Sequence, residues 1–234
     1  MRIYLLSLSL FFLTINSSAQ RNNSKIENLQ NFDHKKIHFG YYIGVNNYNY
    51  KLDYKINPEK RTLVGDQTGI NVGLIGDLKL RENLNLRFEP GLYTNKSEIV
   101  FYNREKFTKN TDTLRSIKST YIHFPLLLKY SAKRYNNIKP YVLGGLSTSF
   151  NLSGNQNSPE DNNNGVFRLK TNSFYYELGF GIDFYLQYFK FSPSIRGVFS
   201  LKNEIVPDQD PNSPWTGNID RMSARAIFIN FSFH

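Results

Sequence analysis

Few residues in this sequence are suited to covalent or acid–base chemistry, and their spacing does not assemble a catalytic centre. Four histidines occur, His34, His38, His123 and His234. None lies in an H-E-x-x-H or repeated ligand pattern, so neither a metal nor another cofactor is expected. There is no cysteine, which removes thiolate ligands, thiol nucleophiles and disulfides. No G-x-S-x-G, G-x-G-x-x-G or phosphate-binding loop occurs, and no Ser-His-acid set can be assigned from spacing. The expectation is a protein without catalytic residues. What is distinctive is a set of charges placed inside apolar runs: Asp77, Lys79, Arg87, Glu89, Lys129, Glu177, Asp183, Lys190 and Arg196. Buried charges must be paired or they are very costly, and here the signs nearly balance. The chemistry they predict is a structural salt-bridge network, with Arg87, Glu89, Glu177 and Arg196 at its centre. His38 and His123 share the same parity and read as core histidines with satisfied partners.

The elements that must hold these charges are strands. Ile37, Phe39, Tyr41, Ile43 and Val45 alternate with smaller or polar residues, and the same two-residue period recurs through the chain. It returns in 70–80, 84–92, 122–130, 142–150, 174–184, 189–199 and 227–233. Period two puts each set on its own face of a strand. Eight such segments, most with the roughly ten residues a tilted membrane strand requires, predict an all-β fold: an eight-stranded antiparallel transmembrane β-barrel. The apolar face would meet lipid and the glycine-rich, charged face the lumen. A soluble barrel of the lipocalin kind would reverse these faces and leave Gly40, Gly44, Gly73, Gly91, Gly145, Gly179 and Gly181 on its surface. An aromatic load of 16 Tyr and 19 Phe also favours the membrane.

The connections alternate in length. Short links are expected at Arg81–Asn83, Ser131–Asn137 and Gln187–Tyr188. Long polar loops are expected at about Asn47 to Gln67, Asn95 to Ser119, Asn151 to Lys170 and Lys202 to Asp220. Short periplasmic turns and long extracellular loops are the pattern of an outer-membrane barrel. Pro90, Pro125 and Pro193 fall inside strands, where a closed barrel has no free edge, and predict bulges or unpaired positions.

The N-terminus predicts export. Arg2 precedes an apolar run from Ile3 to Ile15, and Ser17 and Ala19 fit a cleavage site, so residues 1–19 read as a signal peptide. Residues 20–36 then form a periplasmic tail and 37–234 the barrel. A formal charge of +10 would suit nucleic acid, but an exported chain meets phosphorylated glycolipids, acidic polysaccharide and acidic proteins instead. The basic residues are spread along the chain, consistent with solvated loops. An interior eight strands wide is filled by side chains and is no diffusion pore.

Several stretches resemble the PorT family, an outer-membrane barrel associated with type IX secretion and gliding in Bacteroidota. They are Asn31–Gly40, Gly76–Leu80 with Asn85–Gly91, Phe124–Tyr130 with Lys139–Tyr141, Phe174–Tyr185, and Asp208–Pro214 with Asn218–Arg221. The resemblance covers nearly all of the chain after residue 20. It implies a non-catalytic accessory component of type IX protein secretion or gliding, in contact with outer-membrane lipid and other machinery proteins through its loops and tail. The residues alone leave a second possibility, a surface-lipid-interacting or adhesion barrel.

Overall fold

The computed structural model describes residues 27–66, 68–102, 107 and 110–234. The proposed signal peptide lies outside them. Ten strands are present: β1 (Ile37–Tyr54), β2 (Leu63–Asp66), β3 (Thr68–Arg81), β4 (Leu84–Phe88), β5 (Gly91–Val100), β6 (Leu114–Ser131), β7 (Ile138–Asn151), β8 (Asn172–Tyr185), β9 (Lys190–Ser200) and β10 (Ile219–Phe233). β2 and β3 share one stave and β4 and β5 another, so the ten strands make eight staves. All pairings are antiparallel, and β1 pairs on one side with β10 and on the other with β3. The sheet therefore closes on itself through the β1–β3 pairing over Ile37–Asn47, while higher up β1 pairs with β10 alone and β2 with β5 alone among the described residues.

The alternation read from the sequence fixes which way each side chain points. Ile37, Phe39, Tyr41 and Ile43 are at least half exposed, as are Leu126, Leu128, Tyr130, Val142, Leu146, Leu178 and Phe180. Together they form an apolar belt around the outside. Their neighbours one residue along point inward and are mostly buried. Inward glycines leave room for tyrosines: a Cβ at Gly73 would lie 2.6 Å from the Tyr42 hydroxyl, and one at Gly181 would meet the Tyr141 ring at 2.5 Å.

One expectation needs correcting. The first two long loops are shorter than the sequence suggested, because β1 continues to Tyr54 and β5 and β6 extend to Val100 and Leu114. Above the belt the alternation persists with its polarity inverted. Outward Asn47, Asn49 and Lys51 face inward Tyr48 and Tyr50, and a search for apolar residues on the outer face stops too early. Of the two outcomes expected at the prolines, bulges or unpaired positions, the structure shows unpaired positions without a register shift. Pro125 pairs with Ser147 and Pro193 with Phe231 on one side, while on the other the ladder lapses between Phe88–Leu126 and Gly91–His123 and between Gly181–Ser194 and Phe184–Phe191. Strand assignment lapses at Glu89-Pro90, yet the pairing with β3 and with β6 resumes in the same register beyond it. A strand residue donates to one neighbour only, so each proline deletes a single bond without displacing the chain.

Candidate functional site

The inward face of the belt region holds a connected set of ion pairs. Arg87 reaches from β4 to Asp77 on β3, with Nη2 2.7 Å and Nε 2.9 Å from Oδ2, and its Nη1 lies 3.2 Å from Glu89 Oε1. Arg196 on β9 continues the chain, with Nη1 2.9 Å from Glu89 Oε2 and Nε 3.2 Å from Glu177 Oε2. Glu177 in turn meets His123 Nε2 at 2.8 Å. A second cluster lies nearer the short turns. Lys129 Nζ is 2.6 and 2.9 Å from the two oxygens of Asp183, which also accepts from Ser192 at 2.6 Å and has Lys190 at 3.8 Å. Tyr141 stands between the clusters, with Lys129 Nζ 3.9 Å and Arg87 Cζ 5.8 Å from its ring centroid. The four carboxylates are matched by two arginines and two lysines. Each acid is held by at least one cation in a low-dielectric interior, the condition under which buried charge is tolerated.

This level is closed. Arg87 and Arg196 are 1% exposed, and Glu177 and His123 not at all, so no water-wide passage threads between them.

The short-turn mouth is covered by the chain that precedes the barrel. Residues Phe32–His34 form a single 3₁₀ turn that folds back across the opening. Phe32 stacks on His38 at 4.2 Å, and its carbonyl lies 2.7 Å from His38 Nε2. The Asp33 carboxylate accepts from the Tyr185 hydroxyl at 2.8 Å and lies near Lys139 at 3.7 Å and Arg134 at 3.9 Å. Lys79 donates to the Asp33 carbonyl at 2.7 Å.

The opposite end is packed with aromatic and aliphatic side chains. Tyr48, Tyr93, Tyr121 and Phe228 are at most 2% exposed and meet as rings: Tyr48 stacks on Tyr121 at 5.5 Å, and Phe228 lies 4.8 Å from Tyr93. Over this layer the 152–171 and 201–218 loops lock together. Asp208 accepts from Asn162 Nδ2 at 3.0 Å and from Ser213 Oγ at 2.5 Å, while Arg115 holds the Asn162 carbonyl at 2.9 Å. The Trp215 indole donates to the Asp112 carbonyl at 2.8 Å, and Arg115 lies over its ring at 4.8 Å. Glu204 descends from the 201–218 loop into the apolar layer, where it is 2% exposed and its Oε1 has no hydrogen-bond partner. Burial pushes its carboxyl up to about 7, against the opposing pull of the Ser200 and Tyr175 hydroxyls.

Of the nine charges singled out from the sequence, eight face one another inside the barrel. Lys79 has the same parity but sits at the mouth, half-buried, and binds the tail. His123 belongs to the network, and inward parity was the signal that marked it. Two features carried no sequence signal. Glu204 lies in a loop without periodicity, and nothing in the sequence signals that the stretch read as a periplasmic tail folds, from residue 27 onward, across the short-turn mouth. Among the described residues, no group of three or more His, Asp or Glu could hold a metal ion.

The sequence profile of the family described as "Outer membrane protein beta-barrel domain" matches residues 18–206. No curated protein matches the chain. Among solved structures, the chain is similar to the outer membrane protein OprG of Pseudomonas aeruginosa, with 13% identity, 85% of this chain and 95% of that one covered, and a TM-score of 0.49. It is also similar to the outer membrane protein AlkL in lipid bilayers (12%, 93% and 93%, 0.47). A third is the Neisserial surface protein A (9%, 82% and 95%, 0.42).

Proposed function

The chain belongs to the outer membrane protein β-barrel domain family, and from that premise we propose that it is a non-catalytic, non-conducting accessory component of type IX protein secretion or gliding. In this reading the apolar belt lies in lipid, the short turns face the periplasm and the long loops face outward. The observation that carries the reading is closure at three levels: the folded-back segment at the mouth, the ion network in the middle and the aromatic layer with its interlocked loops above. A barrel filled in this way cannot conduct a polypeptide, so a role in moving cargo has to be exercised from its surfaces. Two ordered surfaces are available, the loop cap outside and the 27–36 cover in the periplasm. The sequence resemblance to the PorT family supplies the pathway, and other machinery proteins are the partners it implies. A second reading, a surface-lipid-interacting or adhesion barrel, draws support from the cations at the outer edge of the belt.

The test is the secreted-protein profile of a strain lacking this chain, with complementation by the intact gene. Cargo trapped in the periplasm and released on complementation is the expected result. An unchanged secretome, with altered surface lipid or lost adhesion, would overturn the secretion role in favour of the second reading.

A further inference from the structure

We propose that the outer face of β1, β10, β9 and β8 carries a binding site for the phosphorylated headgroup of an outer-leaflet glycolipid, gripped by Arg225 and Arg221 beside the Lys51–Asp53 pair and above the stacked rings of Tyr176 and Phe199.

The site is built by register. Arg225 pairs with Phe199 across β10 and β9, and Phe199 with Tyr176 across β9 and β8. On the other flank Lys51 pairs with Ser223 and Asp53 with Arg221. All of these have outward parity, and they enclose a surface cavity of about 370 Å³. Tyr176 and Phe199 stack at 5.1 Å with their planes 22° apart, and give the cavity a flat apolar floor. Its rim is cationic. Lys51 and Asp53 pair at 2.7 Å and neutralise one another, which leaves Arg221 and Arg225 as a net charge of two. Arg221 is oriented by the Ser223 hydroxyl at 2.9 Å and the Leu201 carbonyl at 3.0 Å. Arg225 is exposed and makes no hydrogen bond or ion pair with the described residues.

Its height on the barrel identifies the ligand class. On β10 the outward positions change from Phe231, Ile229 and Ile227 in the belt directly to Arg225, Ser223 and Arg221. The apolar belt ends at the site, and its lower wall continues onto Leu178 and Ile195, both well exposed. A soluble anion would use only the rim. An amphiphile with phosphate at its head and acyl chains below uses the rim and the wall together. Arginine presents its donors in a fork that matches phosphate oxygens.

The site requires only that the barrel lies in the membrane, and so stands apart from the secretion role: loss of lipid binding leaves that role intact, and an unchanged secretome leaves this site intact. The experiment is native mass spectrometry of the purified full chain in detergent, incubated with diphosphoryl lipid A or with the same lipid after phosphatase treatment. The wild type should retain the phosphorylated lipid and not the dephosphorylated one. Each removed cation is worth about fivefold, so R225Q should bind about fivefold and R221Q/R225Q about 25-fold more weakly. K133Q, in a periplasmic turn, serves as the control and should bind as the wild type. Heat-modifiable gel mobility verifies that each variant is folded. Equal retention by wild type and double variant would overturn the site, as would equal retention of the dephosphorylated lipid. Displacement by millimolar inorganic phosphate would show a free-anion site and overturn the lipid assignment.

Discussion

The lower and upper halves of this barrel solve the same packing problem with opposite materials. On β6 the outward residues from Ile122 to Tyr130 are apolar and the inward ones include His123 and Lys129. Higher on the same strand, Ser116, Lys118 and Thr120 face out while Ile117 and Tyr121 face in. The lower half is turned inside out relative to a soluble protein because its solvent is hydrocarbon. The upper half has an ordinary core because its solvent is water. The lower core is cohesive through charge and directional bonds, and the upper one through apolar burial. The difference predicts that each half fails under substitutions the other tolerates.

The largest effect is expected at Arg196, which joins two carboxylates across the lumen. R196M leaves Glu177 to His123 alone and strips one of the two arginines from Glu89. Removing one partner from a buried pair costs about 3–5 kcal/mol, and urea unfolding in detergent should show a loss of that size. R196M/E177Q removes both partners and should recover part of it. Equal stability of R196M and wild type would mean that the network contributes nothing, and that the lower half is held by its backbone ladder and belt alone.

The sequence made the lower half far more legible than the upper. Outward Phe39, Tyr41, Ile43 and Val45 announce a lipid-facing strand, and charges such as Arg87 and Glu177 at the alternate parity can only point inward. Parity places residues in the lumen, but it does not give height. That is why Lys79 reads like Arg87 and yet lies at the mouth with the Asp33 carbonyl. The upper half hides because its alternation of Asn47, Tyr48, Asn49 and Tyr50 reads as a polar loop rich in turn-formers. The loop lock of Asp208 on Asn162 joins positions far apart in the chain through irregular backbone, for which no periodicity exists. The folded-back Phe32 has no periodicity to announce it either: one partner, His38, is near in sequence, but the other, Tyr185, comes from the distant end of β8.

The outer surface offers a contrast within a single strand. L126R places a charge at the middle of the belt on β6, where an arginine on the lipid face costs about 2–4 kcal/mol. S116R introduces the same charge on the same face above the belt, where the side chain is exposed to water. It should lie within about 0.5 kcal/mol of wild type, as surface changes generally do. Unfolding of both variants in lipid vesicles checks this directly. Comparable losses for the two would mean that the belt is placed wrongly, and with it the boundary between the halves.

The upper core buries the Glu204 carboxylate without an ion pair among the described residues. Glu204 ionises near 4.5 in an unfolded chain and at about 7 in the folded cap. The folded state therefore binds the proton more tightly, and stability declines as pH rises. The decline starts near 4.5, proceeds at no more than about 1.4 kcal/mol per pH unit, and levels off above about 7. The groups facing Glu204 are the hydroxyls of Tyr48, Tyr50, Tyr121, Tyr175 and Ser200, which supply no positive charge to offset ionisation. Because Glu204 sits on the 201–218 loop, the cost falls on the cap rather than the lumen. Protease cleavage of that loop, followed from pH 5 to 8, should accelerate with pH in the wild type and stay flat in E204Q. A wild-type profile as flat as that of E204Q would mean that water reaches the carboxylate, and that the upper core is wetter than its burial implies.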